Sequence, residues 1–151
     1  MDNLMLLQGN CLELMKSIPE HSVNFLLTDL PYGTTKCRWD SEIDLNAFWK
    51  ATLPLMKQNG CIAMFAQTPF DKILGVSNLD MLRYEWIWEK TRATGFLNAR
   101  KMPMKAHENI LIFYNKLPKY HPQMSHGHPR KISTAQHKQH CLKGDCYGQY
   151  G

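Results

Sequence analysis

The feature that most constrains this chain is a rhythm of short apolar runs separated by segments of helical spacing. The runs are residues 4–10 (LMLLQGN), 23–28 (VNFLLT), 61–66 (CIAMFA), 83–90 (RYEWIWEK) and 108–115 (ENILIFYN). Each has the length and the apolar or aromatic content of a strand. Residues 11–18 place Leu12, Met15 and Ile18 at helical intervals, with Pro19 closing the segment. Residues 44–58 predict a helix with Asp44 as its N-cap, kinked or ended by Pro54. Asn59-Gly60 predicts the turn into the next strand. Residues 68–78 predict a shorter helix, with Thr68 as N-cap and Pro69 at its first position.

Strands alternating with helices imply an α/β layer arrangement around a largely parallel sheet. The unbroken apolar run at 23–28 predicts a strand covered on both faces. In such sheets ligands bind outside the carboxyl ends of the strands. Two polar turns fall at such ends, QGNC (8–11) and TDLPYG (28–33).

The second turn is chemically dense. Asp29 offers two acceptor oxygens when ionised. Pro31 biases Leu30 towards extended backbone, which turns the Leu30 carbonyl outward. Tyr32 supplies a flat π-face, and Gly33 permits close approach. Two converging acceptors beside a stacking platform suit an amino group on a planar ring. A plain strand-to-loop turn, with Asp29 capping and Tyr32 filling core, uses the same residues.

Charge divides the chain. Residues 1–90 carry a balance of −3 and residues 91–151 one of +8, within a net charge of +5. A basic half suggests a polyanion partner, nucleic acid first, and a solvated basic surface is the plainer alternative. Five cysteines without regular spacing argue against a disulfide framework and suit a reducing cytoplasm. No apolar run approaches the ~20 residues of a membrane span, and the amino terminus does not read as a signal peptide.

The segment LLQGNCLELMKSIPEHSVNFLLTDLPYGTT, with KQNGCIAMF and WIWEKTRATGFLNARKMPMKAHENILIFY, resembles the DNA amino-methyltransferases. Their D-P-P-Y turn follows a G-D-x-L-E-x-L segment, and the order of parts here resembles the beta-type arrangement. The likeness covers roughly residues 4–120. It implies an incomplete Rossmann-like methyltransferase sheet, mostly parallel with a terminal antiparallel strand, in three α/β/α layers. The catalytic domain would occupy 1–120, with a basic, His-rich tail at 121–151, loop or disordered, where target recognition begins.

The resemblance further implies methylation of the exocyclic amine of adenine, less often cytosine, in double-stranded DNA, with S-adenosylmethionine as donor. Asp29, Leu30, Pro31 and Tyr32 would form the catalytic turn. The Asp29 carboxylate and the Leu30 carbonyl would accept the amine's N–H bonds, and Tyr32 would stack on the flipped base. Asn10 and Cys11, with Asp29, fall where the family contacts its cofactor. Lys90, Arg92, Arg100, Lys101 and Lys105 fall where it contacts DNA. Two departures stand out: Leu30 replaces the usual proline, and Asn10 the usual acidic residue.

Neither a D-P-F-x-G-S-G-T segment nor an H-P-x-x-K-P block occurs in the sequence. The expectation is therefore a chain that alone binds S-adenosylmethionine weakly or not at all and pairs through an open sheet edge, with a complementing fragment or a second copy. A non-catalytic DNA-binding remnant is the competing reading. His126, His128, His137, His140, Cys141 and Cys146 are zinc-ligand types, but their spacing matches no recognised finger, so no metal is expected.

Overall fold

The computed structural model describes residues 4–33 and 43–128. The chain divides into two units, Met1–Lys119 and Tyr120–Gly151. In the second, residues 120–128 form neither helix nor strand.

In the first unit the order is α1 (Cys11–Leu14) with a 3-10 turn, β1 (Val23–Asp29), α2 (Leu45–Thr52) with a 3-10 turn, β2 (Met56–Ala66), α3 (Phe70–Ser77), β3 (Leu82–Thr94) and β4 (Lys105–Phe113). The four strands form one sheet in the order β1-β2-β4-β3. β1 runs parallel to β2, and β4 runs antiparallel to both β2 and β3. Three strands therefore share one direction. Their carboxyl ends, together with the start of β4, lie at the same end of the sheet. The mostly parallel α/β sheet with an antiparallel last strand is as the sequence predicts.

The core lies on one side of that sheet. Leu26, Ile62, Met64, Leu111 and Phe113 pack against Phe48 and Trp49 of α2, Phe70 and Leu74 of α3, and Leu12 and Met15. The opposite side is a smaller cluster of Cys61, Ala63, Ile110 and Ile112 with Phe65 and Tyr114, drawn from strands and the residue after β4. Among the described residues the helices lie on one face only.

Local chemistry explains the boundaries. Asp44 caps α2 as expected, its side chain accepting from the Asn46 N–H at 2.9 Å. The helix ends before Pro54, and residues 56–58, expected as helix, begin β2 instead. Asn59-Gly60 is no free turn but an irregularity inside β2, where the pairing with β1 shifts between Val23 and Phe25. A Cβ at Gly60 would lie 2.9 Å from the Met56 methyl and 3.1 Å from the Val23 carbonyl, so the close strand contact excludes larger residues.

Three further expectations are corrected. Residues 4–8 form no strand and are exposed; an apolar run becomes a strand only where a neighbour takes its backbone hydrogen bonds. β1 is not covered on both faces. Phe25 and Leu27, 52% and 55% exposed, sit opposite Cys61 and Ala63 on the helix-free side. Thr68 does not cap α3: the helix starts at Phe70 after a cis Thr68–Pro69 bond, and no side chain caps it.

Candidate active site

β1 delivers the DLPY turn to the strand-end rim. Asp29, its last residue, is exposed, and Leu30 buries its side chain in the main core. An apolar anchor thus stands at the second position of the turn. Gly33 has φ +65°, the left-handed conformation that favours glycine.

Tyr32 is held twice. Its hydroxyl donates to Asp29 Oδ1 at 2.5 Å, and its ring stacks on Phe70, centroids 5.1 Å apart and planes 28° apart. Burial pushes the phenol well above its ordinary range. The hydrogen bond to Asp29 and the negative charges of Asp29 and Glu108 add to that push. Tyr32 therefore stays protonated and keeps donating to the carboxylate. One Asp29 oxygen is engaged in this way.

Phe70 is positioned by a buried polar cluster that sequence reasoning missed. Asp71 is 3% exposed. Its Oδ2 accepts from Thr68 Oγ1 at 3.3 Å, Lys72 Nζ at 2.9 Å and Asn109 Nδ2 at 3.1 Å. Burial pushes this carboxyl up, but the Lys72 ammonium and the Thr68 hydroxyl outweigh it, leaving it below its usual range. Asp71 Oδ1 and Asn109 Oδ1 are buried without a hydrogen-bond partner. Asn109 also lines a cleft of about 320 Å³ with Gln67, Thr68, Lys105 and His107, at the same strand-end rim.

The expected DNA-contacting residues fall on one β-hairpin. β3 and β4 extend to a Thr94–Lys105 pair. Lys90 and Arg92 lie on β3, Arg100 and Lys101 in the connection, and Lys105 opens β4. Arg92, Arg100, Lys101 and Lys105 are exposed. Lys90 is different: half-buried, it is ion-paired with Glu108 on the neighbouring strand. Lys105 Nζ donates to Gln67 Oε1 at 2.9 Å, tying the hairpin base to the segment after β2.

Asn10 and Cys11, expected at the cofactor, stand at the start of α1. Asn10 spends its side-chain oxygen capping α1, accepting from the Leu12 N–H at 2.9 Å, and Cys11 is exposed beside it. The segment before them is not a strand, so no strand end presents the QGNC turn. Among the described residues no group of three metal-ligating side chains occurs. His126 and His128 are described, whereas His137, His140, Cys141 and Cys146 lie outside the described residues. No described helix is long and apolar enough to cross a membrane.

No protein-family model and no curated protein matches the chain. Solved structures do. The PvuII DNA methyltransferase, cytosine-N4-specific, matches with TM-score 0.56 at 19% identity over 74% of this chain and 49% of its own. M1.HpyAVI in complex with S-adenosylmethionine matches with TM-score 0.59 at 18% identity over 83% of this chain and 62% of its own. TTHA0409 of Thermus thermophilus, described as a DNA modification methylase, gives 0.54 at 20% identity over 78% and 54%. The chain thus spans 49% to 62% of the length of these three proteins, and what it shares with them is the fold.

Proposed function

We propose that this chain carries the catalytic turn of an S-adenosylmethionine-dependent DNA amino-methyltransferase acting on adenine in double-stranded DNA. The observation that supports this most is the turn itself: an exposed carboxylate at the end of β1, followed by a core-anchored leucine and a stacked tyrosine. It stands at the rim where parallel sheets bind ligands, on a fold shared with DNA methyltransferases.

The target base leaves the duplex to reach this rim. The Asp29 oxygen not held by Tyr32 and the Leu30 carbonyl accept the two N–H bonds of the exocyclic amine. That concentrates its lone pair and stabilises the positive charge developing on nitrogen. Tyr32 stacks on the base. Lys90, Arg92, Arg100, Lys101 and Lys105 serve the phosphates, with the largest share falling to the four that are exposed. The fold shared with the cytosine-N4-specific PvuII enzyme favours cytosine amine as a second reading.

A complementing fragment that bears a Gly-rich half supplies the rest of the methyl-donor site. It pairs with the edge of β1 that no described strand covers, and lies over the side on which Phe25 and Leu27 are exposed. Association of two copies through this edge is the alternative outcome.

The test adds a fragment bearing the Gly-rich half of a beta-type enzyme to the chain and follows methyl transfer from labelled donor into DNA. Transfer is expected, and Asp29→Ala should lower it by roughly 100-fold or more while duplex affinity stays within about two-fold. Nucleoside analysis of the product separates adenine from cytosine as target. No transfer with the fragment, or undiminished transfer by Asp29→Ala, overturns the reading.

A further inference from the structure

The β3–β4 hairpin leaves the sheet at the same end as the Asp29 turn, because β3 runs parallel to β1 and β4 starts where β3 stops. Its connection is built rather than loose. Gly95 turns the chain with φ +90°, and a 3-10 turn (Phe96–Asn98) follows. Four backbone hydrogen bonds close successive turns: Asn98 N–H to the Gly95 carbonyl, Ala99 N–H to Phe96, and Lys101 and Met102 N–H to Asn98, at 2.8–3.0 Å.

This ordered tip presents apolar side chains to solvent. Phe96 is 78% exposed and Leu97 is 94% exposed, with Met102 and Met104 also exposed further along the connection. The surrounding charge has a single sign. Residues 91–107 contain Arg92, Arg100, Lys101 and Lys105 and no aspartate or glutamate. All four cations are exposed.

An apolar point within a cationic collar matches one surface chemistry closely. Duplex DNA offers phosphates outside and stacked apolar ring faces inside. Proteins that open a base step commonly insert a phenylalanine or leucine between the bases while cations hold the backbone. A tip already ordered by its own turns loses little conformational freedom on insertion. We infer that Phe96 and Leu97 form a wedge that enters duplex DNA at an opened base step, with Arg92, Arg100, Lys101 and Lys105 gripping the flanking phosphates. This rests on the DNA reading above and adds to it a residue pair that recognises an opened step rather than a phosphate.

The test measures binding of the full chain to two fluorescent duplexes, one fully paired and one with a single abasic position flanked by 2-aminopurine. Opening a step costs less where pairing is already lost. The chain should therefore bind the abasic duplex more tightly, by roughly five-fold or more, and change the 2-aminopurine emission. Phe96→Ser/Leu97→Ser replaces exposed side chains only. It should lose the preference and the emission change while keeping the salt dependence. Arg100→Ala/Lys101→Ala should do the reverse, lowering the slope of log affinity against log salt by about 2.

If Phe96→Ser/Leu97→Ser retains the preference, or the chain binds both duplexes equally, the wedge is overturned and the DNA reading stands. If the chain binds no duplex at about 50 mM salt, where phosphate contacts are strongest, both fail. Phosphatidylglycerol vesicles form the last arm. Binding to them that depends on Phe96 and Leu97, with duplex binding indifferent to the pair, would assign the tip to a lipid surface and overturn the inference.

Discussion

The two faces of the sheet are built from similar residues and put to opposite use. On one, Ile62, Met64, Leu111 and Phe113 are sealed beneath α2 and α3, with Trp49 edge-on to Phe113 at 5.0 Å and donating through Nε1 to Ser77 Oγ at 2.8 Å. On the other, Phe25, Leu27, Trp86 and Trp88 are half exposed beside Phe65 and Ile110. Trp88 meets Phe65 edge-on at 5.8 Å, and Arg83 lies over the Tyr114 ring at 5.3 Å. Apolar content alone therefore does not locate the core. Without a helix only the central-strand residues Cys61, Ala63, Ile110 and Ile112 leave water on that side, while those of the outer strands stay half exposed; the difference between the faces is which helices accompany the sheet. The covered face supplies stability, and the open one leaves apolar side chains exposed to solvent.

The strongest way to break this comparison is to make a cavity on each face. Phe113→Ala empties a fully buried position between Trp49 and the sheet. It should cost about 3–5 kcal/mol in urea unfolding, because transfer and cavity terms add. Trp88→Ala on the open face should cost well under half of that, since much of its surface is already hydrated. Equal losses would mean that the open face is as much a core as the covered one.

Which parts of this arrangement were legible in the sequence follows from how local each cause is. The DLPY turn and the Asp44 cap depend on residues within a few positions of one another, so the pattern carried them. The strand expected at 4–10 failed because apolar periodicity records a preference for burial and not the presence of a pairing partner. The strands at 83–90 and 108–115 extend to Thr94 and back to Lys105 beyond their apolar runs, because a ladder exposed on both sides needs no alternation, and Arg92, Thr94 and Lys105 show none. Asp71 stands in the first turn of α3 with nothing local to mark its role. Its partner Asn109 is 38 residues away, and no local signal joins them. Tyr32 on Phe70 is likewise a tertiary contact. The pattern marks Tyr32 as an aromatic ring after the strand end, and nothing near it in sequence points to Phe70.

A sharper probe asks how the covered face reaches the candidate site. Asp71 links α3 to β4 and so fixes Phe70 beneath Tyr32. Asp71→Asn keeps the shape and removes the charge. It should destabilise by about 1–2 kcal/mol near neutral pH, discounted because the Lys72 partner is largely exposed. The sign with pH is fixed by the direction of the shift. The folded carboxyl is held below its ordinary value, so its contribution is complete above that value and is lost as pH falls through the folded one. Melting curves of the two proteins should converge in acid, below roughly pH 4. A gap that persists unchanged at about pH 2.5, well under the ordinary carboxyl value, would mean that packing, and not charge, links the two elements.

The smallest effect on stability is expected from the open face itself. Phe25→Ser/Leu27→Ser alters two half-exposed side chains next to the edge of β1 that no described strand covers. Surface substitutions of this kind change folding by less than about 1 kcal/mol. The same pair should nevertheless lower association with the Gly-rich fragment, because the apolar area left exposed is the area that binding would remove from water. Sedimentation of chain and fragment together, with wild type and double variant side by side, reads this directly. Unchanged association would leave the β1 backbone edge as the sole contact. Loss of stability in place of association would show that Phe25 and Leu27 belong to the core after all, and the contrast between the faces would collapse.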